Sequence, residues 1–456
     1  MKKIILSFIF FILSDLSINA QCWKLSAGKE NCTFAIRTDS TLWVWGNNTY
    51  GQFGNGGTTS QSTPLKIGTE NKWQSIAVGG VQSVAVKTDG TLWAWGGNGN
   101  GELGDGTYIN RDSPIQIGSA TNWKSVAAGE AHSLALKTDG TLWAWGYGAD
   151  GQLGTGIFTA PTINTPTMVG TSNNWQSIAA GRFYTFAIKT NGTLWGWGSN
   201  TSGQLGDGTT SNINDTPIQT GTDTDWQSVA CAWGTTFAIK MDGTLWGWGQ
   251  GYIGNGSITS ELSPVQIGTA NNWQAVATAQ FHFMASKNDG TLWTWGVNDY
   301  GQLGDGTNND KLIPTQVGIS NNWQSIAAGN RYSMAVKTDG TLFTWGKNIN
   351  SQLGDGTAIN KNTPTLIGCT IAGLKEFSRT ENVFSLYPNP TKDIIYLENL
   401  NNQTIDKIII TDLFGRAILE KNGNVNKINV QHLQPGIYII QLYCEQKRYQ
   451  VKFIKE

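Results

Sequence analysis

The chain has 456 residues, more than one ordinary domain needs, and a formal net charge of −1 with 14% charged residues. This balance excludes a nucleic-acid binder that relies on surplus lysine and arginine, and it excludes an acidic solvating tail. The 57 glycines and 21 tryptophans indicate many tight turns and many large buried rings. Together they are typical of an all-β protein built from repeats.

The N-terminus has the layout of a secretory signal peptide. Two lysines precede an apolar run at residues 4–13, and Ala20 supplies a small residue before a cleavage site at Gln21. The run is too short to anchor the chain in a bilayer, and no later stretch approaches the ~20 apolar residues of a spanning helix. We therefore expect residues 1–20 to be removed and the mature chain to have no transmembrane segment. A buried N-terminal helix is the alternative.

A repeat of about 50 residues follows, marked by two sets of tryptophans that lie 22 residues apart in every unit. The first set, the leading tryptophans, are Trp23, Trp73, Trp123, Trp175, Trp226, Trp273 and Trp323. The second set closes a T-L-W-x-W-G hexapeptide or its relative, and its members are Trp45, Trp95, Trp145, Trp197, Trp248, Trp295 and Trp345. The first tryptophans of the hexapeptides are Trp43, Trp93, Trp143, Trp195, Trp246 and Trp293, so Trp233 is the one tryptophan outside this pattern.

Each unit predicts four strands. In the third unit, residues 123–129 alternate small and apolar residues, as a strand near a crowded axis requires, and residues 133–137 form a second strand. Asp139 and Gly140 then predict a type I′ hairpin turn into a third strand. A glycine-rich loop and a short strand after proline complete the unit.

Seven such units predict a closed β-propeller, because one four-stranded unit cannot bury both of its faces alone. An open solenoid would need capping units, and none is visible. The first unit lacks a strand before Trp23, whereas the last has an extra one at residues 364–368. We expect this strand to fill the vacancy and close the ring. Cys22 and Cys369 would then share one connection and form a disulfide, with unpaired thiols or a Cys22–Cys32 bridge as alternatives.

The unit resembles the repeat of the regulator-of-chromosome-condensation family. The matching motifs in the third unit are A-A-G at 127–129, A-L-K-T-D-G at 135–140, W-G at 145–146 and G-Q-L-G at 151–154. The resemblance covers the chain from Cys22 to about Cys369. It implies a seven-bladed propeller that holds a partner on one face, as in an exchange factor, a photoreceptor and a β-lactamase inhibitor of that family. It does not fix the function.

Composition changes after Cys369, where tryptophan vanishes. We interpret residues 21–370 as the propeller, 371–381 as a linker and 382–456 as a β-sandwich of about seven short strands. This last segment resembles the type A C-terminal sorting domain of the type IX secretion system of Bacteroidota. The resemblance rests on Tyr387, Pro388, Asn389, Pro390, Gly415, Arg416, Gly436 and Tyr438. It implies secretion or display on the outer-membrane surface, with the type IX machinery as a partner. An adhesive or carbohydrate-binding sandwich is the alternative.

Candidate catalytic residues are scarce, so we predict no enzyme, cofactor or metal. His132 and His282 occupy the same position of two separate units, and no unit combines a nucleophile, a base and an orienting acid. The Gly-Asp-Gly loops supply one carboxylate each, too few for calcium, and we expect them to form turns. Glycan hydrolysis by paired carboxylates stays open as a minor alternative.

The turn after each leading strand varies most among the units. We predict that it forms a partner-binding face made of Arg182, Phe183, Tyr184, Trp233, Phe281, Arg331 and Tyr332. The alternative is that these side chains line a channel or pack locally. Our hypothesis is a monomeric scaffold that recognises a protein or glycan. A guanine-nucleotide exchange factor is the second hypothesis, against which the export signals argue.

Overall fold

The computed structural model describes residues 23–29, 31–157, 161–210, 213–367, 384–399, 404–412, 417–423, 425–444 and 447–456. These residues are all-β, and they belong to two compact units that divide between residues 369 and 370. No described segment forms a helix with the length and apolarity that crossing a bilayer requires. Several predicted residues lie outside the described ones: Ala20, Gln21, Cys22, Cys369, Gly415 and Arg416.

The first unit contains seven four-stranded antiparallel sheets, blades 1 to 7, each formed by four consecutive strands. The first strands are β1 (Trp23–Lys29), β5 (Trp73–Val78), β9 (Trp123–Ala128), β13 (Trp175–Ala180), β17 (Trp226–Cys231), β21 (Trp273–Thr278) and β25 (Trp323–Gly329). The second strands are β2 (Cys32–Arg37), β6 (Gln82–Lys87), β10 (His132–Lys137), β14 (Tyr184–Lys189), β18 (Thr235–Lys240), β22 (His282–Lys287) and β26 (Tyr332–Lys337).

The third and fourth strands complete each blade and confirm the four strands predicted per unit. The third strands are β3 (Leu42–Gly46), β7 (Leu92–Gly96), β11 (Leu142–Tyr147), β15 (Leu194–Gly198), β19 (Leu245–Gly249), β23 (Leu292–Gly296) and β27 (Leu342–Gly346). The fourth strands are β4 (Gln61–Ile67), β8 (Arg111–Gln116), β12 (Thr162–Met168), β16 (Asn214–Gln219), β20 (Glu261–Gln266), β24 (Lys311–Gln316) and β28 (Lys361–Ile367).

The turn between second and third strands differs from the predicted type I′ turn. In blade 2 the Gly90 N–H donates to Lys87 O, and Gly90 has a φ of +76° whereas Asp89 is not in the left-handed region. A type I′ turn requires positive φ at both central residues, so this is a type I turn followed by a left-handed glycine. The Asp89 carboxylate is used instead to accept hydrogen bonds from the N–H and the hydroxyl of Thr91.

The expectation that the last strand fills a gap in the first blade is wrong. Strand β28 pairs with β27 of its own blade, and blade 1 has its own fourth strand, β4. The reason is that a unit starting at its leading tryptophan already contains four strands, and the last of them is the strand that includes the proline. The ring closes by side-by-side packing, because the Trp23 N–H donates to Gly340 O at 3.1 Å and Trp23 shares a hydrophobic cluster with Ile367.

Neighbouring blades are joined by the second tryptophan set, which we call the linking tryptophans. Each is fully buried, and six of them donate their indole N–H to a backbone oxygen of the preceding blade. The pairs are Trp45–Gln352, Trp95–Gln52, Trp145–Glu102, Trp197–Gln152, Trp248–Gln204 and Trp345–Gln302, at 2.8 to 3.0 Å.

Blade 6 departs from this linkage. Among the described residues, the indole N–H of Trp295 has no acceptor. The loop of blade 5 that should supply it carries Tyr252 where other blades have glutamine or glutamate, and it is three residues shorter than its counterpart in blade 4. The contact between blades 5 and 6 therefore lacks one buried hydrogen bond.

A cation lies between two rings in every blade, an arrangement that the sequence analysis missed. In blade 3 the Lys137 ammonium is 4.7 Å from the centroid of Trp123 and 4.1 Å from that of Trp143. The equivalent cations are Arg37, Lys87, Lys189, Lys240, Lys287 and Lys337, at 3.3 to 4.9 Å from their two rings. Each interaction stabilises the hairpin end of its blade by roughly 0.5–2 kcal/mol.

The C-terminal unit is the predicted small β-sandwich. One sheet has the order β29 (Phe384–Tyr387), β30 (Ile394–Asn399), β33 (Lys427–Asn429). The other has the order β32 (Ala417–Asn422), β31 (Lys407–Asp412), β34 (Gly436–Cys444), β35 (Lys447–Lys455). Residues of both sheets share one apolar core.

Candidate partner-binding face

The turns between first and second strands surround a cavity of about 170 Å³. Its walls are the ends of first strands, and five alanines line them: Ala128, Ala180, Ala232, Ala279 and Ala328. The lining also includes four turn residues and four residues at the ends of first strands: Arg182, Trp233, Gln280 and Asn330, and Val78, Cys231, Thr278 and Gly329. Small residues are required at the wall because strand ends of six blades converge there, as the sequence analysis expected near an axis.

Four of the predicted face residues form one group, the aromatic–arginine group: Arg182, Phe183, Trp233 and Phe281. The Arg182 guanidinium lies 4.1 Å from the ring centroid of Trp233 and 4.9 Å from that of Phe183. Trp233 also contacts Phe281, with ring centroids 5.8 Å apart and an interplanar angle of 59°. All four side chains are half-buried, so part of each surface remains open to a ligand.

The charge of Arg182 is not neutralised by a direct partner. Among the described residues, no carboxylate lies within ion-pairing distance of its guanidinium, and its buried Nε–H donates to no acceptor. Asp150 is the acid whose pKa is influenced by the charge of Arg182. Burial raises the pKa of Asp150, and the positive charge of Arg182 opposes that rise.

Tyr184 and Tyr332 were predicted on the face, and this placement is wrong. Both are fully buried between blades. The Tyr184 hydroxyl donates to Thr235 O at 2.7 Å, and the Tyr332 hydroxyl donates to Cys32 O at 2.6 Å. Each residue begins a second strand, where alternation turns its side chain toward the neighbouring blade rather than toward solvent.

The two propeller histidines occupy the same buried position as these tyrosines. The His282 Nε2 lies 2.9 Å from the Ser333 hydroxyl, which itself donates to Gln302 O. The Nε2–H of the imidazole is therefore the donor in the first bond. Burial lowers the pKa of His282 to about 3. This position joins blades and supplies no reactive group to the cavity.

Arg331, the last predicted face residue, belongs to a separate cluster between blades 6 and 7. Its guanidinium forms an ion pair with Asp299 and lies 5.3 Å from the ring centroid of Tyr300. Lys347 approaches the same ring at 5.7 Å. Arg331 is thus paired within the protein, in contrast to Arg182.

The carboxylates of the Gly-Asp-Gly loops are engaged in holding those loops. Asp105 accepts hydrogen bonds from the Thr107 N–H and hydroxyl on one oxygen and from Arg111 on the other. Burial acts to raise the pKa of Asp105, but these hydrogen bonds and the Arg111 charge outweigh it and hold the pKa below its usual value. Within the described residues no cluster of three metal-ligating side chains occurs.

The sorting motif residues that can be described divide into an exposed and a buried part. Tyr387 is exposed and stacks on Tyr396 with ring centroids 5.5 Å apart. Asn389 accepts a hydrogen bond of 2.9 Å from the Ile454 N–H. Tyr438 is buried, stacks on Phe453 and donates its hydroxyl hydrogen to Gln434 O. Pro388 and Pro390 are exposed, and Gly436 begins β34.

Comparison with protein families identifies both units. The family described as "Regulator of chromosome condensation (RCC1) repeat" matches residues 39–86, 89–136, 139–188, 191–239, 289–336 and 339–379. A second description of that repeat matches five segments between residues 24 and 352. Residues 240–273, which neither description matches, contain the shortened loop of blade 5. The "Secretion system C-terminal sorting domain" matches residues 385–456. No curated protein matches the chain.

Solved structures show the same propeller fold. Human WBSCR16 is 21% identical, with a TM-score of 0.65, and the alignment covers 72% of this chain and 94% of that one. Prp20p from Saccharomyces cerevisiae, described with its binding properties to Gsp1p and histones, is 22% identical with a TM-score of 0.65, covering 80% and 90%. Yeast RCC1 (Prp20) bound by Kap60 is 21% identical with a TM-score of 0.66, covering 85% and 91%.

The C-terminal match indicates type IX secretion to the cell surface or the extracellular space. The repeat matches together cover more than half of the chain, and the first five each hold the third and fourth strands of one blade and the first and second strands of the next. The protein therefore belongs to the regulator of chromosome condensation repeat family, and it carries a secretion system C-terminal sorting domain.

Proposed function

We propose that this secreted propeller is a non-enzymatic scaffold that binds a protein or glycan partner through the aromatic–arginine group. The observation that carries the proposal is the place of Trp233. It is the one tryptophan outside the repeat pattern, and it lies half-buried at the cavity between Arg182 and Phe281. Tryptophan and arginine are the residue types that most often supply binding energy at interfaces.

The repeated tryptophans support this reading by contrast. The leading and linking tryptophans are buried in blade contacts that recur around the ring, so their role is explained by the fold. No such recurring contact involves Trp233, since the equivalent residues in blades 2 to 4 are Gly80, Glu130 and Arg182. The export route disfavours the exchange-factor alternative, because small GTPases are intracellular.

The test is partner capture by the purified full-length protein. Extracellular and surface extracts and a glycan array would be probed with wild type, Trp233→Ala and Arg182→Ala. Ile319→Ala is the matched control, because that side chain is 98% exposed and lies in the connection to β25. We expect a partner retained by wild type and the control to be lost with either face variant. Equal retention by all four proteins contradicts the proposal.

We also assign handling by the type IX machinery to the C-terminal domain. Deletion of residues 382–456 is expected to leave the propeller inside the cell envelope, detected by immunoblotting of culture fractions. Undiminished release of the truncated chain would contradict the assignment.

A further inference from the structure

A chain of backbone hydrogen bonds links the turns at the cavity in part of the ring. The Gly80 N–H donates to Glu130 O at 3.0 Å, and the Glu130 N–H donates to Arg182 O at 3.2 Å. The Arg182 N–H donates to Ala232 O at 3.2 Å. In blades 2 to 4, the N–H of the turn residue is thus already hydrogen-bonded to the next blade.

The chain of bonds stops after blade 4. Within the described residues, the N–H groups of Trp233 and Gln280 donate to no protein acceptor. Both residues line the cavity together with Arg182, whose guanidinium is also without a hydrogen-bonded or ion-paired partner there. The lining therefore contains two residues with unused backbone donors and one arginine fork, a set that suits a planar carboxylate.

The acidic side chains nearby do not occupy this set. The Glu130 carboxylate lies against Gly80, toward blade 2 and away from blade 5, and it does not line the cavity. Asp150 senses Arg182 without forming an ion pair. The positive charge at Arg182 remains available to a ligand.

The rest of the cavity wall is apolar or already satisfied. Alanines and Val78 make up most of it, and the Thr278 hydroxyl donates to Cys231 O at 2.8 Å. A volume of about 170 Å³ accommodates a short aliphatic side chain. Sugar hydroxyls would face alanine walls with few partners, which is costly for buried polar groups.

We propose that this site binds the C-terminal carboxylate of a partner polypeptide, with Arg182 and the N–H groups of Trp233 and Gln280 as donors and the last side chain in the alanine-lined cavity. The proposal rests on the proposed function and narrows its ligand to a chain end. An acidic saccharide, or an aspartate within a loop, presents the same charge, and the experiment separates these sources.

The probe is a fluorescein-labelled hexapeptide of sequence G-S-G-S-A-V, measured by anisotropy against the full-length protein. The free acid is expected to bind at least about tenfold more tightly than the C-terminal amide, and Arg182→Gln is expected to abolish this difference. Arg331→Gln is the matched control, because that arginine is paired with Asp299 on the same face. Thermal melting of both variants checks that they fold.

Three results would overturn the inference. The first is that the acid and the amide bind equally, or that neither binds at millimolar protein. The second is that Arg182→Gln leaves binding of the acid unchanged. The third is that an amidated peptide with an internal aspartate, or a glucuronate-ended saccharide, binds better than the free acid. Failure here is distinguishable from failure of the proposed function. Loss of a captured partner with Trp233→Ala would still support the scaffold role if the peptide end proved irrelevant.

Discussion

The indole N–H of Trp45 in blade 1 donates a 2.9 Å hydrogen bond to the backbone oxygen of Gln352 in blade 7, 307 residues away in the chain. The same bond joins most other neighbouring blades, so the closing contact of the ring is built like the internal ones. Among the described residues, the closing contact therefore uses the same hydrogen bond as the other blade contacts.

Trp45→Phe is expected to destabilise the protein more than Trp295→Phe. Both substitutions remove similar packing, but only the first removes a buried hydrogen bond, because the Trp295 N–H has no acceptor among the described residues. The Gln352 oxygen keeps the Thr33 hydroxyl as a donor, so the difference in the free energy of unfolding should be about 0.5–1.5 kcal/mol. Guanidinium unfolding followed by fluorescence measures it, and equal destabilisation would argue against the linking role.

Lys287→Met is expected to lower stability by roughly 0.5–2 kcal/mol, because the ammonium lies 4.6 Å and 4.0 Å from the ring centroids of Trp273 and Trp293. Lys287→Arg is the matched control and should be nearly neutral, since blade 1 has Arg37 at this position. Differential scanning calorimetry of the three proteins tests this. A fully stable methionine variant would show that the rings need no cation.

Stability should fall as the pH drops from about 6.5 toward 3, in part because of His282. Its pKa is about 3 in the folded protein and 6.5 when unperturbed, so the unfolded chain binds the extra proton throughout this interval. The contribution of His282 to the free energy of unfolding is fully present above pH 6.5. Below that pH it decreases by up to about 1.4 kcal/mol per pH unit.

The matched variant for this effect is His282→Gln, because Gln82 occupies the equivalent buried position in blade 2. The variant should show a shallower decline of unfolding free energy with acid than wild type. Chemical denaturation at a series of pH values gives both curves. Parallel curves would mean that His282 is protonated in the folded state.

The disulfide between Cys22 and Cys369 stays a prediction, since both residues lie outside the described ones. Peptide mapping without reductant should recover the two cysteines in one cross-linked fragment. In the chain-entropy model, a bond that encloses nearly the whole propeller contributes roughly 5 kcal/mol. Cys22→Ser should then lower the melting temperature in oxidising buffer and leave it unchanged after reduction, and recovery of two separate thiol peptides would refute the pairing.

The sequence predicts those features of the propeller that depend on local pattern. Spacing of the two tryptophan sets defines the units, and the alternation after Trp123 identifies the strand at the axis. What spacing does not encode is which strand belongs to which sheet, because proline strands look the same whether they end one unit or begin the next. The strand at 364–368 was misassigned for that reason.

The candidate site could be predicted only in part. Its variable turns are visible in sequence, but the burial of Tyr184 depends on a neighbouring blade that local pattern does not show. The cations between rings left one recognisable signal, a lysine or arginine two residues before the Asp or Asn of every hairpin. The unused N–H donors of Trp233 and Gln280 left no signal in the sequence, since backbone N–H groups are common to nearly all residues.

Because no strand is exchanged between blades, each copy other than blade 5 carries both halves of the joint: an indole donor for the copy before it and a backbone acceptor for the copy after it. Tandem duplication or loss of one such copy in the gene would leave no more than the one unmatched joint that follows blade 5. Recombination could therefore change the number of blades, and with it the circumference of the ring, by one whole copy at a time. The sequence of each individual copy would stay under the same constraints.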